Sequence, residues 1–127
     1  MLRFNSTETK ALNDFLYNSY IHDAKLENLS YNHIDNNLRI NAFNPIFNVN
    51  FKFVFWNVET VFATKGDWLF GNTKEINSLT VENDFLYLRK YIPKYDKNIE
   101  DFLYLVFQTF SGDEIHVVCK EISVNVA

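Results

Sequence analysis

Phe47-Asn48-Val49-Asn50-Phe51-Lys52-Phe53-Val54-Phe55-Trp56 places five apolar residues, Phe47, Val49, Phe51, Phe53 and Phe55, at a period of two. That period belongs to a strand with one face buried, and no other stretch of the chain shows it as strongly. The opposite side begins polar at Asn48, Asn50 and Lys52 and turns apolar at Val54 and Trp56. The far end of this strand is therefore expected to be covered on both faces. At about 25 cal/mol per Å² of apolar surface buried, Phe51, Phe53 and Phe55 form the expected energetic centre of the fold.

Upstream of this strand the sequence specifies a helix. Asn5 can act as N-cap, with Glu8 three residues on to close a capping box. Leu12, Phe15, Leu16 and Tyr20 then follow on one stripe at 3.6 residues per turn, with Asn13, Asp14, Asn18 and Ser19 mostly opposite. These spacings predict a helix over residues 6–20, too short to persist without packing on something. Beyond Asp23 the pattern is that of strands. Ala24, Leu26, Leu29 and Tyr31 alternate with one phase slip, residues 32–37 are turn-rich, and Leu38, Ile40 and Ala42 alternate again until Asn44-Pro45.

Residues 58–63 suit a short strand, and 76–81 and 85–91 suit two more, followed by a polar connection over 93–100. The clearest hairpin joins 102–110 to 114–126 through Ser111-Gly112-Asp113. In its second arm Ile115, Val117 and Cys119 share one parity and Ile122, Val124 and Val126 the other. A β-bulge at Lys120-Glu121 would keep both sets on the core side. The expected fold class is α+β: one N-terminal helix packed on an antiparallel β-meander of six to eight strands, strongly curled, in a single domain over residues 1–127.

Composition narrows the functional classes. The 127 residues are 47% hydrophobic and 17% aromatic, which excludes a disordered chain. Three Gly and two Pro exclude collagen-like and linker-like chains, and a phosphate-cradling glycine loop is equally out of place. The single cysteine, Cys119, excludes a disulfide scaffold and a four-thiolate zinc site, and it suits a reducing compartment. A net charge of −4 argues against non-specific nucleic-acid binding. The longest apolar-rich stretch is far short of the roughly 20 residues that span a bilayer, and the first residues lack an apolar run of signal-peptide length. The expectation is a cytoplasmic protein with no membrane segment and no cofactor. Abundant Asn, Lys, Ile, Tyr and Phe match the drift of an AT-rich bacterial genome and warn against over-reading any one Asn.

Each chemistry-bearing residue also has a structural reading. The doublet His22-Asp23 suits metal-dependent phosphohydrolases only with further helical His and Asp ligands, and no His precedes His22. Its structural reading is a turn, with Asp23 accepting backbone N–H bonds and His22 stabilising the helix end. His116 and Cys119 lie three apart on one strand, which points them to opposite faces and leaves Cys119 as a small core residue. His33 falls in a turn. Arg89, Lys90, Lys94 and Lys97 interleave with Tyr87, Tyr91 and Tyr95, a mixture found where single strands of nucleic acid bind. Glu100-Asp101 follow at once, so a solvated loop fits better. Trp68 and Phe70, in a glycine-bracketed loop, are the candidate interaction residues, against a role in capping the core.

The stretch from Tyr20-Ile21-His22-Asp23-Ala24-Lys25-Leu26 through Tyr31, with Leu38-Arg39-Ile40, the strand over 51–58 and Ile122-Ser123-Val124, resembles a loose class of small, largely uncharacterised bacterial proteins. These open with a short helix and an H-D-A/S motif. Some members are similar to immunity proteins encoded beside polymorphic toxins, and no catalytic residues come with the class. The resemblance implies a non-enzymatic protein-binding module with an unidentified protein partner, a toxin in the immunity-protein case. The alternative is a small-ligand-binding protein or enzyme whose site lies inside the curled sheet, bringing His22, Asp23 and His116 together. A homodimer that hides a sheet face is a third, structural option.

Overall fold

The capping box forms as the residue types dictate. Asn5 Oδ1 accepts from the Thr7 N–H at 2.9 Å, and the Asn5 N–H donates to Glu8 Oε1 at 3.1 Å. This is a computed structural model, which describes residues 1–64, 75–82, 86–92, 101–110 and 112–127. Strand β1 (Leu2–Asn5) runs into the cap, one 3₁₀ turn follows, and α1 spans Thr9–Tyr17. The helix stops three residues before Tyr20. The Asn18 side chain donates to the Asp14 carbonyl at 2.8 Å and the Ser19 hydroxyl to the Leu16 carbonyl at 2.8 Å. Such side chains compete with the helical ladder, and Tyr20 then turns left-handed at φ 64°. Tyr20 therefore leaves the apolar stripe on which its spacing had placed it.

Eight more strands follow: β2 (Lys25–Asn32), β3 (Asn37–Asn44), β4 (Val49–Trp56), β5 (Thr60–Thr64), β6 (Ile76–Val81), β7 (Leu103–Thr109), β8 (Glu114–Cys119) and β9 (Glu121–Val126). They form two antiparallel sheets, ordered β1-β9-β4-β3-β2 and β5-β8-β7-β6. The α+β class, with one N-terminal helix of useful length on antiparallel sheet, is as expected. The described residues hold nine strands rather than six to eight, because β1 is too short to show a period in the sequence and the arm over 114–126 divides at Lys120 into β8 and β9. Three further expectations need correction. Phe47 is not in β4: Asn44 Oδ1 accepts from the Ile46 and Phe47 N–H groups and closes a turn there. The stretch expected as a strand over 85–91 contains α2 (Leu86–Arg89), and the i,i+4 pair Tyr87 and Tyr91 shares one side of it. Val126, expected on the core side, is 43% exposed at the end of β9.

The sheets are joined by two strands that turn the same corner. Trp56 pairs with Glu121 on one side of it and Thr60 with Val118 on the other, so residues 57–59 oppose residues 119 and 120. The extra residue lies on the β4–β5 side rather than at Lys120-Glu121, where a bulge was expected, but the parity of the last strand does switch there: Ile115, Val117, Cys119, Ile122 and Val124 all belong to one buried cluster. The Lys120 N–H donates to the Trp56 carbonyl at 3.1 Å, and the Glu59 N–H to the Val118 carbonyl at 2.7 Å.

Phe51, Phe53 and Phe55 stack along β4, and Phe107 of the facing sheet meets Phe53 and Phe55 edge-on at 5.8 and 6.1 Å. The phenylalanine face is thus covered chiefly by the second sheet. Helix α1 fills the side between β1 and β6, inserting Leu12 and Leu16 into the same core. Replacing Phe53 by Ala should cost about 3–5 kcal/mol of unfolding free energy, read as a fall in the urea midpoint at constant m-value. Asn5→Ala, which removes only the cap, should cost about 1 kcal/mol in the same measurement.

Candidate functional site

The turn after α1 is built around Asn44, whose side chain is fully buried. Its Nδ2 donates to the Tyr20 and His22 carbonyls at 2.8 and 3.2 Å, while its Oδ1 holds the 45–47 turn. Tyr20 and Asp23 both sit in the left-handed region, at φ 64° and 70°. That conformation costs a non-glycine residue about 1–2 kcal/mol, so the surrounding bonds must over-determine it. They do so through β6: the Asp23 N–H donates to the Ile76 carbonyl at 2.9 Å, and the Ile76 N–H to the Ala24 carbonyl at 2.7 Å. Because its partner is a carbonyl, His22 Nδ1 must carry a proton to bond Asn77 O at 2.6 Å, which leaves Nε2 3.5 Å from Asp23 Oδ1.

Between α1, this turn and β6 lies a cavity of about 560 Å³, within the range of binding clefts. Leu16, Ile21 and Leu79 supply its apolar depth, and Tyr17, His22 and Phe47 stand among its other walls. Its rim is aromatic and wet. Tyr17 is 90% exposed, and Tyr20 stacks on Phe47 with ring centres 4.3 Å apart and both about half exposed; outside the lining, Phe110 meets the His22 ring edge-on at 5.4 Å. The His22-Asp23 doublet therefore lines a groove, and His22 braces β6 rather than the helix end. Trp68 and Phe70 lie outside the described residues, as do Lys94, Tyr95 and Lys97.

His116 occupies a different place, the outer face of the β5-β8-β7-β6 sheet, where it is 0% exposed. Phe62 stacks on its ring at 4.5 Å, the Tyr104 hydroxyl lies 2.6 Å from Nδ1, and Nε2 lies 3.1 Å from Glu114 Oε1. Glu114 also receives the Tyr87 hydroxyl at 2.7 and 2.8 Å and the Tyr91 hydroxyl at 3.3 Å. A neutral imidazole with its proton on Nε2 fits this arrangement, donating to the carboxylate and accepting from Tyr104. A second proton would set a donor against a hydroxyl already arranged to donate. Burial accordingly holds the His116 pKa below its ordinary value, against the opposing pull of Glu114. Burial works to raise the Glu114 carboxyl, but the hydrogen bonds from Tyr87, His116 and Tyr91 outweigh it and hold the group low. Cys119 faces the inter-sheet core instead, its thiol pushed up to about 12 by burial. The structure thus separates His116 from Cys119, as their odd spacing implied.

Sequence reasoning missed the Glu114–His116–Tyr cluster. Two signals were present: the i,i+2 placement of Glu114 and His116 on one strand face, and the i,i+4 spacing of Tyr87 and Tyr91. In the described part of the interleaved basic stretch, Tyr87 and Tyr91 bond Glu114 and Lys90 lies 5.1 Å over the Tyr87 ring. The outer face of the other sheet is polar, with a cavity of about 370 Å³ bordered by Asn28, Arg39, Asn41, Lys52 and Asn125. Among the described residues no group of three or more His, Cys, Asp or Glu is set to hold a metal ion, and no helix is long and apolar enough to cross a membrane. No protein-family model matches the chain, and no curated protein matches it significantly.

The titrating groups of the His116 cluster predict a definite pH profile. The unfolded imidazole binds a proton near pH 6.5 while native His116 resists it, so stability falls as the pH drops below about 6.5 and again below about 4.5 through Glu114. At the alkaline end the unfolded chain loses its Cys119 proton from about pH 9 and its Tyr87 and Tyr104 protons from about pH 10, while burial keeps all three protonated in the native state, and stability falls again. Urea midpoints measured from pH 4 to 10 should therefore form a plateau between roughly pH 6.5 and 9. His116→Gln should flatten the limb between pH 6.5 and 4.5; an unchanged limb would trace that acid sensitivity to other groups.

Proposed function

We propose that this chain is a non-enzymatic protein-binding module that grips its partner in the groove between α1 and β6, of the kind represented by immunity proteins that occlude a toxin. The observation that carries this reading is the set of exposed aromatics Tyr17, Tyr20 and Phe47 lining an apolar cavity. Large aromatics left in water around a cleft are the residue types that dominate binding energy at protein interfaces. The net charge of −4 favours a basic partner, which long-range attraction would steer toward the chain. The alternative, a small-ligand or enzymatic site, had asked for His22, Asp23 and His116 in one cavity. The groove holds His22 and Asp23, whereas His116 is sealed in its own cluster.

The test is co-purification from the native host with tagged wild type and with the double variant Tyr17→Ser/Phe47→Ser. The wild type should bring down one basic protein at equal stoichiometry. The variant should lose it about tenfold or more while its thermal midpoint stays within a few degrees of wild type. Absence of a stoichiometric partner, or equal recovery by both proteins, would dismiss the proposal.

A further inference from the structure

We infer that the groove receives its partner as an extended segment added to the open edge of β6, an inference that rests on the protein-binding reading above. Strand β6 ends the order β5-β8-β7-β6, so one of its edges faces away from β7. The chain itself shows that this edge accepts an antiparallel neighbour. Lys25 bridges Glu75, and the Asp23 and Ala24 backbones bond Ile76. Those residues then leave for the other sheet, where β2 pairs with β3.

From Asn77 onward the same edge becomes a wall of the cavity, formed by Asn77, Ser78, Leu79 and Thr80. Among the described residues, backbone pairing on this side stops at Ile76, and His22 caps the Asn77 carbonyl. A strand edge needs main-chain donors and acceptors opposite it. This one carries neither charge nor proline over residues 77–80, the usual devices for discouraging a neighbour. Facing it across the cavity is the helical surface of Leu16 and Tyr17. A strand edge on one side and a helix on the other form a slot for an extended peptide: main-chain bonds supply affinity, and alternate side chains supply specificity.

The walls define the occupant's chemistry. One side chain of the segment enters the depth formed by Leu16, Ile21 and Leu79 and must be bulky and apolar. Among the described lining residues the formal charge is that of Asp23, whose carboxylate lies 3.5 Å from the His22 ring, and it favours a basic neighbouring side chain. The occupant is therefore an extended segment of a partner protein carrying an aromatic or aliphatic residue next to Lys or Arg.

The probe is a display library of short random peptides selected against the full chain. The inference expects enriched peptides that pair a bulky apolar residue with a basic one. Amide hydrogen exchange should slow about tenfold or more within Ser78, Leu79 and Thr80 on binding, and N-methylation of alternate peptide bonds should weaken binding about tenfold. Tyr17→Ser should weaken the same peptides without moving the site of protection. Enriched peptides that leave residues 78–80 unprotected but still depend on Tyr17 would overturn strand addition and leave the protein-binding reading standing. No enrichment together with no stoichiometric partner would remove both. Protection of residues 78–80 that grows with protein concentration, with a doubled mass by light scattering, would make the occupant a second copy and overturn the inference as stated.

Discussion

Two backbone hydrogen bonds at one corner, from Lys120 to Trp56 and from Glu59 to Val118, decide how the rest of the molecule is arranged. They carry a pair of strands out of one sheet and into the other with one residue more on the β4–β5 side. That surplus reverses the parity of the β8–β9 strand, so Val117 and Val124, seven residues apart, both reach the same core. Without the corner, a single flat sheet would leave either the β4 phenylalanines or Phe107 in water. A helix of nine residues could not cover that area. The corner converts one long meander into two faces that bury each other, and α1 is left free to close the side.

The consequence is two kinds of polar feature on one molecule. On the outer face of the β5-β8-β7-β6 sheet, α2 and Phe62 seal His116 and Glu114 beneath aromatic rings, where every described donor has an acceptor. A carboxylate so nearly covered needs such a full complement of donors, and the bonds from Tyr87 and Tyr91 tie the α2 segment to the sheet. Between α1 and β6, by contrast, aromatic rings stand in water and the backbone is held in two left-handed residues. The first arrangement pairs its polar atoms under cover of rings, and the second leaves aromatic surface exposed to solvent.

Much of the fold was legible in the sequence because its signals are periodic and local. The phenylalanine alternation, the capping box at Asn5 and Glu8 and the parity switch at Lys120 each rest on one physical rule, and each appears where it was expected. The failures share a cause: side chains that bond the backbone override periodicity. Asn18 and Ser19 end the helix before Tyr20, and Asn44 draws Phe47 out of its strand. The short helix holding Tyr87 was hidden because a run of Leu, Tyr and Arg satisfies a strand and a helix equally. Of the groove, the sequence pointed to His22-Asp23 but not to its neighbours. Tyr17, Phe47 and Leu79 come from segments up to 62 positions apart that only tertiary structure brings together.

Asn44 has a further consequence. One amide side chain reaches into both loops that frame the groove, keying the turn of Tyr20 and His22 to the turn of Ile46 and Phe47. Neither loop can rearrange without stranding a buried polar group. The entropy of ordering this surface is therefore spent when the chain folds, not when a visitor arrives. If the groove binds a partner as proposed, such a rigid mould would select for shape from the first encounter, and differences among ligands would lie in residence time rather than in the speed of arrival.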